Sequence, residues 1–73
     1  MHAIAGEAGL KLLKRSVEHN PANASLENAL GLALGGLGRP VEAAEHFRRA
    51  LRIEPGFAPA QHNLAAALSS RRR

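Results

Sequence analysis

The sequence matches itself when it is shifted by 34 residues. The identical pairs include Pro21 with Pro55, Ala24 with Ala58, Leu30 with Leu64, Ala33 with Ala67, Leu34 with Leu68 and Arg15 with Arg49. Apart from the arginine pair, they fall on apolar positions at helical spacing and on prolines that end the apolar stretches. A period of this length is typical of repeat architectures, in which each unit buries its apolar face against its neighbours.

Three breaks divide the chain into helical segments. Residues 19–21 and 53–55 end in proline, which disfavours helical geometry in the residue before it. Residues 35–40 combine three glycines with a proline suited to a first helical turn. Alanine and leucine dominate the apolar residues, which favours close-packed helices over strands. The sequence therefore predicts an all-α fold whose helices cover about residues 4–18, 24–34, the segment from 40 to the 53–55 break, and 58–70.

One 34-residue unit carries a specific motif. Leu30-Gly31 is followed by Ala43 and Phe47 with three residues between them, and then by Pro55. This order resembles the tetratricopeptide repeat, although Glu27 and Leu34 stand where that family often has aromatics. The resemblance implies repeat-packing roles, in close helix approach, in filling the space between helices and in ending the second helix, for Leu30, Gly31, Ala43, Phe47, Ala50 and Pro55.

The resemblance also implies how a single domain over residues 1–73 is organised. Residues 4–19 resemble the second helix of a preceding repeat, 24–57 a complete repeat, 58–70 the first helix of a following one, and 71–73 a basic tail. The expected fold is four antiparallel helices in a right-handed α-α superhelix. Because the first and last helices each lack a partner, we expect each to expose an apolar strip.

By resemblance, the function is to bind a protein or peptide. First helices of such repeats line a concave groove, which here would comprise Ser25, Asn28, Leu32, Gly35, His62, Ala66 and Ser69. Asn28 is expected to bond a peptide backbone through both ends of its amide. Leu32 follows it by one turn and neither groove helix carries a lysine, which favours an apolar peptide or helix over an acidic tail. The alternative is that these are small residues on an unused face. Self-association through the terminal helices is the other expected contact.

The sequence offers no pattern for catalysis, a cofactor or a metal. His46 and His62 are 16 residues apart without cysteine or an HExxH spacing, so both are expected at the surface or in the groove. Glu42 and Glu45 lie beside arginines, as in ordinary surface ion pairing. The glycines of residues 35–38 follow a helix and lack the Lys-Ser/Thr of a phosphate loop. We therefore predict a non-enzyme with no cofactor.

The charge and the termini leave two alternative functions open. The formal net charge is +4, and Arg71, Arg72 and Arg73 supply most of it. Such a tail could touch nucleic acid or an anionic surface, but three charges without aromatic stacking residues argue against this. The chain could also be the recruiting part of a larger enzyme. No apolar run is long enough to span a membrane, Gly6 and Glu7 interrupt any signal-peptide core, and the lack of cysteine fits the cytoplasm.

Overall fold

The computed structural model describes residues 2–20 and 22–71, with side chains for residues 8–20 and 22–70. Within these ranges the chain forms four α-helices and no strand. They are α1 (His2–His19), α2 (Ala24–Gly36), α3 (Pro40–Ile53) and α4 (Ala58–Arg71). The predicted all-α helical-repeat fold is confirmed. Pro21, predicted to stop the first helix, lies outside the described residues.

Local signals begin and end each helix. Asn23 precedes α2 with an extended backbone, and its side-chain oxygen accepts from the backbone N–H of Leu26 at 3.1 Å, satisfying a free donor of the first turn. The helix runs to Gly36, two residues beyond the predicted end at Leu34. Gly38 then reverses the chain with a φ of 76°, a left-handed conformation that glycine adopts without steric cost. Pro40 begins α3 at the position where its missing N–H is not needed.

The helices pack in chain order, with α2 between α1 and α3, and α3 between α2 and α4. The contact between α2 and α3 is the most extensive, and α2 also touches α4. The main buried cluster draws on all four helices and consists of Leu10, Leu30, Leu34, Ala43, Ala44, Phe47 and Ala67. A second, smaller cluster joins Ala24, Ala50 and Ala60. The core is therefore shared along the stack, as a repeat architecture requires.

Candidate protein-binding groove

Gly31 on α2 and Phe47 on α3 lie in close contact in the core. A β-carbon added to Gly31 would lie 2.7 Å from Cδ1 and 2.9 Å from Cζ of the Phe47 ring, well inside contact distance. Phe47 is only 3% exposed, so the ring fills the space that the missing side chain leaves. This pair therefore sets how closely α2 and α3 pack.

A pocket of about 250 Å³ opens beside this pair, between α2 and α4. Its walls are mostly backbone and small side chains, because α2 contributes Gly31 and Gly35 and α4 contributes Ala66. The Phe47 ring also lines the pocket and, being nearly buried, forms its floor. Leu32 stands at the rim and is 52% exposed. We call this site the Phe47 pocket; it is open, small and largely apolar.

The structure brings together only part of the predicted groove. Leu32, Gly35 and Ala66 line the Phe47 pocket. Ser25, His62 and Ser69 are exposed but do not line it. Of the residues given packing roles by resemblance, Leu30, Gly31, Ala43, Phe47 and Ala50 are buried, whereas Pro55 is exposed in the turn before α4.

Two of the helices that line this pocket, α2 and α3, match a known family. A family model described as tetratricopeptide repeat matches residues 24–57, from the first residue of α2 to the turn before α4. Residues 24–57 are a tetratricopeptide repeat. No curated protein sequence matches the chain. Repeats of this family generally mediate protein–protein interaction and are typically not catalytic.

A hydrogen bond between two asparagines joins the repeat to the helix that follows it. Asn63 Nδ2 on α4 donates to Asn28 Oδ1 on α2 at 3.0 Å. Asn28 is only 9% exposed and its side-chain oxygen accepts this bond from within the chain, whereas its role in binding a peptide backbone stays a prediction. Asn63 also lines the Phe47 pocket. The bond therefore ties together the two helices that form the pocket walls.

Sequence reasoning missed Asn63, and the reason is its register. The residue lies 35 positions after Asn28, whereas the repeat period is 34, so the period pairs it with Ala29 instead. The only signal was a polar residue within the apolar part of α4, next to Leu64. Such a residue usually has a buried hydrogen-bonding partner, but the sequence does not say which one.

Another polar contact lies within the repeat itself, between α2 and α3. Nδ1 of His46 and Oε1 of Glu27 share a hydrogen bond of 2.8 Å. Glu27 is buried where the family often has an aromatic residue, and His46 is half-buried, which corrects the expectation of a surface or groove histidine. The imidazole also lines a shallow depression with Lys14 and Arg49. Because the carboxyl group and the imidazole form a hydrogen bond with each other, this polar pair can occupy a buried position where the family often has an aromatic side chain.

A metal site, a membrane span and the basic tail can be compared with the structure only over the described residues. Among these, no three histidine or carboxylate side chains gather in a group able to hold a metal ion. The described helices include none with the length and apolar character needed to cross a membrane. Arg72 and Arg73 of the predicted basic tail lie outside the described residues. Arg71 ends α4, and only its backbone is described.

Proposed function

We propose that the chain is a protein-interaction module whose Phe47 pocket takes one apolar side chain of a bound peptide or helix. The observation that supports this most directly is the pocket itself, an open apolar site on a repeat whose family generally binds proteins. Leu32 at its rim is among the most exposed large apolar side chains of the described residues. An exposed leucine beside an apolar cleft is a natural contact for a partner side chain.

The size of the pocket limits what it binds. Small-molecule sites usually span about 300–1,000 Å³, so a site of about 250 Å³ suits a single side chain better than a whole ligand. Fully burying one Leu, Ile, Phe or Met side chain contributes about 1.5–3 kcal/mol. This corresponds to roughly a ten- to hundred-fold gain in affinity, which makes the pocket an anchor point within a longer contact.

Polar groups around the pocket are suited to the backbone of the same peptide. Ser70 and Asn63 line it, while His62 and Ser69 are exposed on the same helix. These side chains supply donors and acceptors for an extended main chain. Among the side chains that the structure describes, no acidic one lines the pocket, so apolar burial rather than charge selects the anchor residue.

The module has a second kind of surface at its ends. Outer faces of α1 and α4 are not covered by other helices of the described chain, because α1 contacts α2 and α4 contacts α3 and α2. Half-buried Leu64 and Leu68 and exposed Leu12 lie on these two helices. We propose these end faces as the sites of helix-to-helix association, separate from peptide binding in the groove.

The groove proposal is tested by selecting a random peptide library on the immobilised chain. Enriched peptides should share a Leu, Ile, Phe or Met anchor, and the tightest should be titrated against two variants. Leu32→Glu should weaken binding at least tenfold, because it places a charge at the apolar rim. Val41→Glu is the matched control, since Val41 is also 52% exposed but does not line the pocket. Its affinity should equal that of the wild type.

Two outcomes contradict the groove proposal. One is a library from which no peptide is enriched. The other is an equal loss of affinity in both variants, which would show that the bound peptide does not use the Phe47 pocket. A peptide that is lost on Ala65→Glu but not on Leu32→Glu would place the site on the outer face of α4 instead.

A further inference from the structure

The outer face of α4 lacks the cover that α3 gives to α2. Leu30 and Leu34 on α2 are 2% and 0% exposed, whereas their repeat equivalents Leu64 and Leu68 on α4 are only half-buried. Ala65 is exposed, although Gly31 at the equivalent position is buried under Phe47. The same residue types are therefore arranged on α4 to receive a helix, and none of the described helices occupies the place.

The outer face of α1 has the matching deficit. The residues of α3 that lie 34 positions further along the chain face α2. Among them, Ala43 is fully buried and His46 is half-buried. On α1 the equivalent Gly9 is exposed with no atom within 4 Å of an added β-carbon, and Leu12 is 65% exposed. Thus α1 presents the face of a second repeat helix without a first helix to pack on.

We infer that α1 of a second copy of this chain covers the outer face of α4, in the register that α3 uses on α2. The inference rests on the proposed role of the end helices as association surfaces. Adding 34 to α2 numbers and subtracting 34 from α3 numbers converts the internal contacts into intermolecular ones. The Gly31–Phe47 contact becomes Ala65 with Leu13 of the second copy, and the Glu27–His46 contact becomes Gln61 with Leu12 of the second copy.

The first converted contact is sterically matched. Inside the chain a large ring requires a glycine opposite it, since a β-carbon at Gly31 would overlap Phe47. In the converted pair the small side chain becomes larger, from glycine to alanine, while the large one becomes smaller, from phenylalanine to leucine. Exchanges that conserve the combined volume are the ones that packed interfaces tolerate. The register therefore avoids the overlap that Ala65 would make with a phenylalanine.

The second converted contact places an apolar side chain beside a polar one. Gln61 Nε2 donates to the backbone carbonyl oxygen of Pro55 at 2.9 Å within the same chain. Leu12 of the second copy can lie against the methylene groups of Gln61 while this hydrogen bond is kept. Covering Leu12 at the same time removes the most exposed of the large apolar side chains described.

The arrangement repeats packing that the chain already contains, because α1 of the second copy lies on α4 as α3 lies on α2. The interface continues the α3–α4 packing and extends the stack by four helices per added copy.

This contact is heterologous and does not close on itself. Each molecule has one contact face on α1 and a different one on α4. Copies therefore add head to tail, and the assemblies become longer as the protein concentration rises. A single helix pair is a small interface, which is typical of weak association. Sedimentation velocity from ~10 µM to ~1 mM should therefore show an average mass that increases continuously, in the range expected for weak binding.

The test uses two variants of the whole chain that each block one face. Leu12→Glu disables α1, and Ala65→Glu disables α4; both residues are exposed, so the fold should be retained, as checked by circular dichroism. Each variant alone should sediment as a monomer at every concentration. An equimolar mixture should form dimers and nothing larger. The Leu12→Glu variant keeps only its α4 face and the Ala65→Glu variant keeps only its α1 face, so one molecule of each can pair and no face is left for a third.

The groove variant Leu32→Glu separates this inference from the proposed function. It should associate like the wild type while losing peptide binding, so the two proposals can fail independently. A wild-type chain that stays monomeric to ~1 mM would overturn the inference, as would variants that remain monomeric after mixing or that associate when alone. Dimers that saturate without further growth would instead indicate a two-fold contact and would overturn the head-to-tail register.

Discussion

Replacing Gly31 by alanine tests the central packing contact of the repeat. The added β-carbon would lie 2.7 Å from Cδ1 and 2.9 Å from Cζ of Phe47, so either the ring or α2 must move. Phe47 is 3% exposed and packed within the main cluster, which leaves it little room. Overpacking of this kind costs about 1–3 kcal/mol, whereas alanine in place of glycine within a helix contributes about 1 kcal/mol. The expected net loss is about 1 kcal/mol.

Thermal unfolding followed by circular dichroism measures this loss. For a domain of this size, about 1 kcal/mol corresponds to a decrease in Tm of roughly 4–8 °C. Gly9→Ala is the matched control, because Gly9 lies inside α1 with no atom within 4 Å of an added β-carbon. That variant should gain about 0.5–1 kcal/mol from helix propensity alone. If Gly31→Ala raises Tm as much as Gly9→Ala does, the close-contact argument is wrong.

A double-variant cycle then assigns the effect to the ring. Phe47→Leu shortens the side chain opposite residue 31, so Gly31→Ala should cost less in that background than in the wild type. The difference between the two costs is the coupling energy, expected at about 0.5–3 kcal/mol for residues in contact. A coupling of zero would mean that the added methyl group meets something other than Phe47.

Two further predictions concern the polar pairs. His46→Ala should destabilise the fold by about 1–3 kcal/mol, because it leaves buried Glu27 without its partner, whereas His62→Ala on the exposed face should change urea-unfolding stability by less than about 0.5 kcal/mol. Asn63→Ala should cost about 1 kcal/mol by removing the bond to α2, with exposed Ser69→Ala as its control. Equal effects of a variant and its control would contradict the role given to that pair.

The sequence by itself determined the helices and the repeat. Prolines, glycines and apolar spacing act within a few residues of one another, so the breaks at residues 35–40 and 53–55 could be recognised without knowing what packs on what. The Leu30-Gly31 and Ala43-x3-Phe47 motif then identified the unit as a tetratricopeptide repeat, and the family model matches the same residues 24–57.

Only the tertiary structure decided the polar pairs, the pocket and the uncovered faces. Glu27 with His46 and Asn28 with Asn63 are partners separated by 19 and 35 positions, a relation that local patterns do not encode. Identical residues also end in different environments, since Leu34 is fully buried and Leu68 only half-buried. The physical reason is that burial depends on the helix lying opposite: α3 covers α2, whereas no described helix covers the outer face of α4.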